Sequence, residues 1–303
     1  MNAEHREESA FDVIVIGGGG SGLAAAIEAR AAGRDVLLLE KNPELGGSTA
    51  WSIGSVTASQ TPHQARKGVV DNPADHWRDM AGFNGDLDAR DNVELRRVLA
   101  DEMPDTFRWL LQHGVRFYGP MPEPPHSKPR MHNVLPNSRA FITHLARAAR
   151  RAGVIIACGV RAIALVAEQG RVVGVDCATA SGPRRFRARG GVVLAAGDFT
   201  SDPELKAQFM GPQEAKIDGV NVTATGDGQK LALALGARIV NGDLALGPEL
   251  RFVPPPGRNM LLMLPPWRLL ANLMAWSLEH MPSALLRPFA MSFVTTALAP
   301  SPD

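Results

Sequence analysis

Short apolar runs and alanine-rich segments alternate at the start of the chain, with glycines between them. The β-branched run at residues 12–16 stops at Gly17 and predicts a buried strand. Residues 21–32 lack proline and predict a helix, which Gly33 ends. The apolar run at residues 36–39 predicts a second strand. These elements fit within about 30 residues, the size of a βαβ unit with a right-handed crossover.

A second set of sheet-forming runs follows residue 139. Apolar runs bounded by glycine and turn residues identify its elements. They are an Arg-rich amphipathic helix at 139–152, a strand at 154–157, a hairpin over 162–175 with its turn at 168–171, strand residues 186–189 leading to a buried strand at 191–196, a helix at 226–235 and a strand at 238–240. The sheet-forming pattern ends near residue 245.

The segment between these two regions has a different character. Helical spacing occurs at residues 73–82 and 93–114, and Pro104 is expected to interrupt the second helix. Residues 119–137 hold six prolines in nineteen positions. This density predicts an irregular loop that could hinge or cover a site.

Composition and charge narrow the class of protein. The 303 residues predict about two domains of roughly 150 residues each. With 32 basic and 31 acidic side chains, a net charge of +1 argues against a nucleic-acid or anionic-membrane partner. Cys158 and Cys177 form no CxxC motif and accompany no His cluster, so neither a disulfide scaffold nor a metal site is expected. Residues 1–10 are polar where a signal peptide would be apolar, which predicts a cytoplasmic protein.

A glycine-rich turn separates the first strand from its helix. Gly17, Gly19 and Gly22 form a GxGxxG motif, which allows a tight turn, close approach to a pyrophosphate and close helix–strand packing. The helix N-terminus adds N–H groups and a positive dipole end. Glu40 ends the second strand, where an acid can accept hydrogen bonds from ribose hydroxyls. This context distinguishes the motif from a chance match and predicts a dinucleotide site, which would suit NAD or FAD.

Residues 46–55 are almost all glycines and small hydroxyl residues, which suit close contact with a long cofactor. With them, four segments in order resemble the FAD-binding domain of the fumarate reductase and succinate dehydrogenase flavoprotein superfamily, most closely its 3-ketosteroid dehydrogenase branch: 12–29, 37–55, 191–205 and 224–239. The resemblance implies an α/β fold, with a Rossmann-like FAD-binding domain and an inserted, incomplete α+β cap domain. It also implies hydride transfer between flavin N5 and a carbon–carbon bond next to a carbonyl or carboxylate.

The resemblance assigns cofactor-binding residues position by position. They are Gly17, Gly19, Gly20 and Gly22 at the pyrophosphate, Glu40 at the adenosine ribose, the Val160 backbone at the adenine, Gly47, Ser48, Thr49, Ser52 and Gly54 at the ribityl chain and flavin, and Ala196, Gly197 and Asp227 beside the cofactor. Ser21 and Lys41 are assigned to cofactor binding as well. Ala196 stands where relatives have a threonine. Ser48 stands where succinate dehydrogenases have the histidine that attaches FAD, so non-covalent FAD is implied.

The same resemblance divides the chain into three parts. They are an FAD-binding domain at residues 1–60 and 139–245, a helical insertion with the Pro-rich loop at 61–138, and the start of a substrate-cap domain at 246–303. Family enzymes place the proton-transferring Arg or Tyr and a closing glycine segment in their C-terminal part. Here no glycine follows Gly257 and the only tyrosine is Tyr118, so no catalytic residue is assigned.

The chain is therefore expected to be truncated. Its expected substrate is a small molecule, which could be hydrophobic, and a companion chain could supply the missing C-terminal half. The first alternative is a catalytically incomplete FAD-binding fragment. A further alternative is an NAD-dependent dehydrogenase, because the βαβ unit would serve equally well there.

Several polar and apolar features outside these motifs have open interpretations. Arg130 and His132 could bind an anionic substrate, but a solvated basic loop is the simpler hypothesis. Arg251 or Arg258 could approach substrate or be solvated. The apolar residues 260–299 lack a run of about 20 uncharged residues, so a transmembrane helix is not expected. Cap-domain packing or a pocket wall is preferred there over membrane-surface contact or an exposed remnant.

Overall fold

The computed structural model describes residues 9–245 and 264–280. Its strands, in chain order, are β1 Ser9–Ile16, β2 Val36–Glu40, β3 Ser55–Thr57, β4 Arg116–Met121, β5 Met131–Leu135, β6 Ile155–Cys158, β7 Arg161–Glu168, β8 Arg171–Thr179 and β9 Gly182–Leu194. Its α-helices are α1 Gly20–Ala31, α2 Gly47–Trp51, α3 Pro62–Arg66, α4 Pro73–Asn84, α5 Val93–Gln112, α6 Arg139–Arg151, α7 Pro203–Phe209, α8 Asp227–Leu233 and α9 Arg268–His280. Short 3₁₀ helices lie at Gly85–Arg90 and Glu214–Lys216.

The described residues divide into two compact units. The first unit contains residues 9–51 and 141–245, and the second contains residues 52–140 and 264–280. Each unit has its own sheet. Among the described helices, none is long and apolar enough to cross a bilayer.

The first unit is built on a six-stranded sheet in the order β6-β2-β1-β9-β8-β7. Strands β6, β2, β1 and β9 are parallel, whereas β7, β8 and β9 form an antiparallel meander. Every residue of β2 is buried, as expected for a central parallel strand. Residues 186–194 of β9 pair with β1, and the first part of β9 pairs with β8. Strand β9 therefore joins the parallel part of the sheet to the antiparallel meander. The predicted βαβ unit is confirmed.

The hairpin predicted in this unit is also confirmed. Strands β7 and β8 are joined by Gln169 and Gly170, which have φ of 50° and 77°. Positive φ at both central positions is the geometry of a two-residue type I′ turn.

Two sequence predictions in the first unit are wrong. Residues 191–196 were expected to form a buried strand, but Val193 and Leu194 are each 38% exposed. The reason is pairing: β8 accompanies β9 only as far as Arg187, so among the described residues the rest of β9 has a strand on one side. The strand predicted at 238–240 is irregular backbone, and Val240 is 78% exposed.

The second unit contains the antiparallel sheet β3-β5-β4 and the helices α3, α4, α5 and α9. The irregular loop predicted over residues 119–137 is wrong, because this segment holds the end of β4 and all of β5. The pairing of β4 with β5 shifts register between Tyr118 and Met121. Pro120 lies in that irregularity, where a strand tolerates proline.

Helix α5 also differs from its prediction. It runs without a break from Val93 to Gln112, and Pro104 lies buried inside it. Buried Ala100 and Phe107 lie on either side of the proline. Their burial offsets the one backbone hydrogen bond that proline removes from a helix.

Candidate functional site

The turn before α1 and the first residues of α1 are packed so closely that one position in each, Gly17 and Gly22, must be glycine. A Cβ atom on Gly17 would lie 2.2 Å from the carbonyl oxygen of Ala195. A Cβ atom on Gly22 would lie 1.9 Å from the carbonyl oxygen of Gly17. These glycines therefore allow β1, α1 and the end of β9 to meet.

Gly19 has a different environment. A Cβ atom there would come no closer than 3.7 Å to any atom, the nearest being the Gly46 carbonyl oxygen and Thr49 Oγ1. Gly19 provides no side-chain cap for α1, and the first turn carries no acid. Gly20 N–H donates to Thr49 Oγ1 at 3.1 Å, and Ser21 is exposed beside it. The helix start thus has room and N–H groups for an anion, which fits a pyrophosphate.

Glu40 is buried at the end of β2, with 5% of its surface exposed. Its Oε2 accepts from Gly18 N–H at 2.7 Å, and its Oε1 accepts from Asn42 N–H at 2.8 Å. Since each carboxylate oxygen can accept two hydrogen bonds, one lone pair on each is left for ribose hydroxyls. Sequence reasoning found the acid but missed these two backbone donors.

Val160 lies between β6 and β7, and its backbone is hydrogen-bonded to the end of β2. Its N–H donates to the carbonyl oxygen of Glu40 at 2.9 Å. This hydrogen bond fixes the backbone of Val160 beside the end of β2. The adenine contact expected from this backbone stays a prediction.

Lys41 and Asp227, both predicted to bind the cofactor, form an ion pair with each other. Lys41 Nζ lies 2.9 Å from Asp227 Oδ2 and donates to Thr225 Oγ1 at 2.7 Å. Arg161 Nη2 donates to Asp227 Oδ1 at 2.7 Å. Burial alone would raise the pKa of the Asp227 carboxyl, but hydrogen bonds from Lys41 and Arg161 outweigh burial and lower it. Both carboxylate oxygens are engaged, so this cluster fastens the start of α8 to the end of β2.

Gly47, Ser48 and Thr49 lie in the short helix α2. Ser48 is exposed, and its Oγ accepts from Asn221 Nδ2 at 3.1 Å. Asn221 itself is buried. Sequence reasoning missed Asn221, which lies 173 positions away and outside every motif.

Ala196 and Gly197 follow the end of β9. A Cβ atom on Gly228 would lie 3.1 Å from the Ala196 methyl group, so this methyl packs against the start of α8. The carbonyl oxygen of Gly197 accepts from Gln229 Nε2 at 2.9 Å. Where the resemblance leads one to expect a threonine hydroxyl, this chain has an apolar contact.

Ser52 and Gly54 belong to the second unit, whereas the other predicted site residues belong to the first. Gly54 has φ of 82°, and a Cβ atom there would lie 2.4 Å from Val134 Cγ1. Its carbonyl oxygen accepts from Val134 N–H at 3.0 Å. Packing and backbone conformation within the second unit therefore already require this glycine.

Both hypotheses for Arg130 and His132 are wrong, because neither side chain has any exposed surface. Arg130 Nε and Nη2 donate to the two oxygens of Asp71 at 2.7 and 2.8 Å, and Nη1 donates to Asp79. His132 Nε2 lies 3.0 Å from Thr61 Oγ1. This arginine is a buried ion-pair centre, and it is neither a substrate ligand nor a solvated residue.

Some of the remaining predicted features lie outside the residues that the structure describes. Arg251, Arg258 and Gly257 fall outside the described residues, as does most of the segment 246–303. Within residues 9–245 and 264–280, no three His, Cys, Asp or Glu side chains are grouped to hold a metal ion.

A glycine turn at a helix N-terminus, followed by a buried acid at the end of the next strand, defines a dinucleotide-binding α/β domain. A family model described as FAD binding domain matches residues 12–256, and the chain belongs to this family. The predicted fold class and the FAD cofactor are therefore confirmed, and the family selects FAD over NAD.

Similar proteins come from both expected branches. A probable fumarate reductase Ifc3 of Shewanella frigidimarina is 29% identical over 76% of this chain, and a urocanate reductase of Eggerthella lenta is 31% identical over 76%. The crystal structure of 3-ketosteroid-Δ4-(5α)-dehydrogenase from Rhodococcus jostii, in complex with 4-androstene-3,17-dione, is 27% identical with a TM-score of 0.70 and covers 78% of this chain. The chain spans 40%, 39% and 56% of the lengths of these three proteins.

Proposed function

We propose that this chain is the FAD-binding part of an oxidoreductase that moves a hydride between flavin N5 and a carbon–carbon bond next to a carbonyl or carboxylate. The observation that carries the proposal is the chemistry shared by the compounds in the relatives' names. Fumarate, urocanate and 4-androstene-3,17-dione each contain a carbon–carbon double bond conjugated to a carboxylate or ketone. Bound reduced FAD would supply a hydride to one carbon of such a bond, the neighbouring carbonyl would accept the developing negative charge, and a proton would then reach the other carbon.

In this proposal the described residues bind and orient the cofactor. The open N-terminus of α1 at Gly19 would hold the pyrophosphate, and Glu40 would accept from the adenosine ribose. Bound FAD would supply the hydride chemistry. Ser48, held by Asn221, offers no imidazole for covalent attachment, so we propose that FAD is bound non-covalently.

A second candidate is an FAD-binding module that needs further polypeptide for turnover. The specific observation that favours it is length, since the chain spans 26% to 58% of the curated relatives with which it aligns over most of its length. In this case the chain would bind FAD without oxidising or reducing a substrate. A companion chain would then supply the missing groups.

The two candidates are separated by one series of measurements on the purified chain. It is incubated with FAD and desalted, its flavin absorbance is recorded, and it is heat-denatured and filtered. We expect retained flavin that passes into the filtrate. Flavin left on the denatured protein would contradict non-covalent binding, and no flavin at any stage would contradict both candidates.

The FAD-loaded chain is then reduced anaerobically with dithionite and mixed with fumarate, urocanate or 4-androstene-3,17-dione. Return of the oxidised flavin spectrum with one of them, faster than in buffer, supports the oxidoreductase. Retained reduced flavin with all three supports the binding module.

A further inference from the structure

Helix α9 packs one side against β4 and β5 of its own unit, and no residue that the structure describes covers the other side. Ala271 is 2% exposed, and the helix contacts β4 and β5. Leu269, Leu273 and Trp276 are 83%, 59% and 56% exposed. Trp267, just before the helix, is 67% exposed. Large apolar side chains gathered on one helix face mark an interaction surface.

The spacing of this face suits another helix. Leu269, Leu273, Trp276 and His280 are separated by four, three and four positions, which is the alternation of a coiled-coil seam. The ring of His280 stacks on Trp276 with centroids 5.1 Å apart. The stripe therefore runs the length of α9, roughly 20 Å at 1.5 Å per residue.

Charge at the two ends of the helix selects the direction of the partner. Arg268 lies at the N-terminus of α9 and Glu279 at its C-terminus, and both are exposed. Each charge opposes the dipole of its own helix, which favours acids at the start and bases at the end. An antiparallel neighbour reverses this relation, because each charge then lies beside the complementary end of the other helix.

We propose that the stripe of Leu269, Leu273 and Trp276 is a homodimer interface in which α9 packs antiparallel to α9 of a second copy. A two-fold axis near Leu273 places Leu269 against Trp276 of the partner subunit. It also places Arg268 opposite Glu279 of the partner subunit, twice in each dimer. A parallel arrangement would instead bring like charges together. One helix pair is smaller than a standard interface of about 1,600 Å², so the dimer is concentration-dependent.

The first test is sedimentation equilibrium of the FAD-loaded full chain over a range of concentrations. We expect a monomer–dimer equilibrium that Arg268→Glu and Glu279→Arg each weaken by about tenfold. The double variant R268E/E279R restores the opposite charges and returns the dissociation constant to within about threefold of the parent. Arg97→Glu on α5 is the control, because Arg97 pairs with Asp101 on its own helix. A monomer at every concentration, or a double variant as weak as the singles, would overturn the proposal.

The second test uses the two-fold axis. In a Cys158→Ser background, which leaves only buried Cys177, Leu273→Cys is treated with a short bis-maleimide. We expect a crosslinked dimer from this variant and none from Val98→Cys on α5, whose parent side chain is 56% exposed. Equal crosslinking of both variants would contradict the assigned interface. Co-sedimentation of a monomeric chain with phosphatidylcholine–phosphatidylglycerol vesicles, lost in Leu273→Asp, would assign the face to a membrane surface instead.

Discussion

Gly19 and Gly22 lie three residues apart in one glycine motif, yet a methyl group at each would meet different surroundings. At Gly22 it would lie 1.9 Å from the Gly17 carbonyl oxygen, whereas at Gly19 it would lie at least 3.7 Å from any atom. We therefore expect Gly22→Ala to lower the free energy of unfolding by about 1–3 kcal/mol, since the backbone must shift. Gly19→Ala should change it by less than about 1 kcal/mol, because φ of −79° suits alanine.

In FAD binding the order of the two variants should be reversed: Gly19→Ala, which costs little stability, should lose more FAD affinity than Gly22→Ala. The Gly19→Ala methyl enters the open space at the helix start, so we expect FAD affinity to fall by about tenfold, or 1.4 kcal/mol. Urea unfolding and FAD titration of both variants check this pair of outcomes. Equal loss of stability in both variants would contradict the difference in packing. Unchanged FAD affinity in a folded Gly19→Ala would show that the open space does not hold the pyrophosphate.

At the same scale, sequence reasoning succeeded where chemistry is local and failed where it depends on distant residues. The position of Glu40 at the end of β2 could be predicted from its spacing to the glycine turn. The burial of Arg130 could not, because Asp71 and Asp79 lie 59 and 51 positions away along the chain. A charged residue among prolines resembles a solvated loop until those partners are known.

At the scale of elements, local patterns predicted β1, α1, β2 and the hairpin within a few residues. The errors arose where tertiary context decides the outcome. Proline density predicted a loop at 119–137, but the register shift in β4 accommodates Pro120. Apolar composition predicted a buried strand at 191–196, but burial there depends on which strands lie beside β9.

Arg130 joins several elements of the second unit. It comes just before β5, pairs with Asp71 before α4 and with Asp79 inside α4, and Asp71 also accepts from Gln64 of α3 at 2.8 Å. Arg130→Met would leave two carboxylates without their buried cation. We expect it to lower the free energy of unfolding by about 3–5 kcal/mol in urea titration.

A matched surface pair provides the control for this prediction. Arg185 pairs with Asp176 across two strands, and the side chain of Arg185 is 43% exposed. Arg185→Met should lower the free energy of unfolding by about 0–1 kcal/mol. Similar losses in the two variants would mean that the Arg130 cluster does not hold these elements together.

At the scale of the whole molecule, stability should depend on pH through three buried histidines. His63, His76 and His132 are 8%, 3% and 0% exposed. Burial is the main cause that lowers the pKa of each imidazole to about 4. The second cause is the charge of Arg66 for His63, the charge of Arg130 for His76 and the neighbouring His63 imidazole for His132. In the unfolded chain the pKa of each returns to 6.5. Below 6.5 the unfolded state therefore binds more protons than the folded state.

It follows that the free energy of unfolding falls as the pH drops from 6.5 towards 4, by up to roughly 3 kcal/mol for each histidine. Asp79 acts in the same direction at lower pH, because hydrogen bonds from Ser127 and Arg130 outweigh its burial and lower its pKa to about 2. Urea unfolding between pH 7 and about pH 5 should show this loss, and calorimetry in two buffers should detect net proton uptake on unfolding. A free energy of unfolding that stays constant over this range would mean that these imidazoles do not remain neutral in the folded chain.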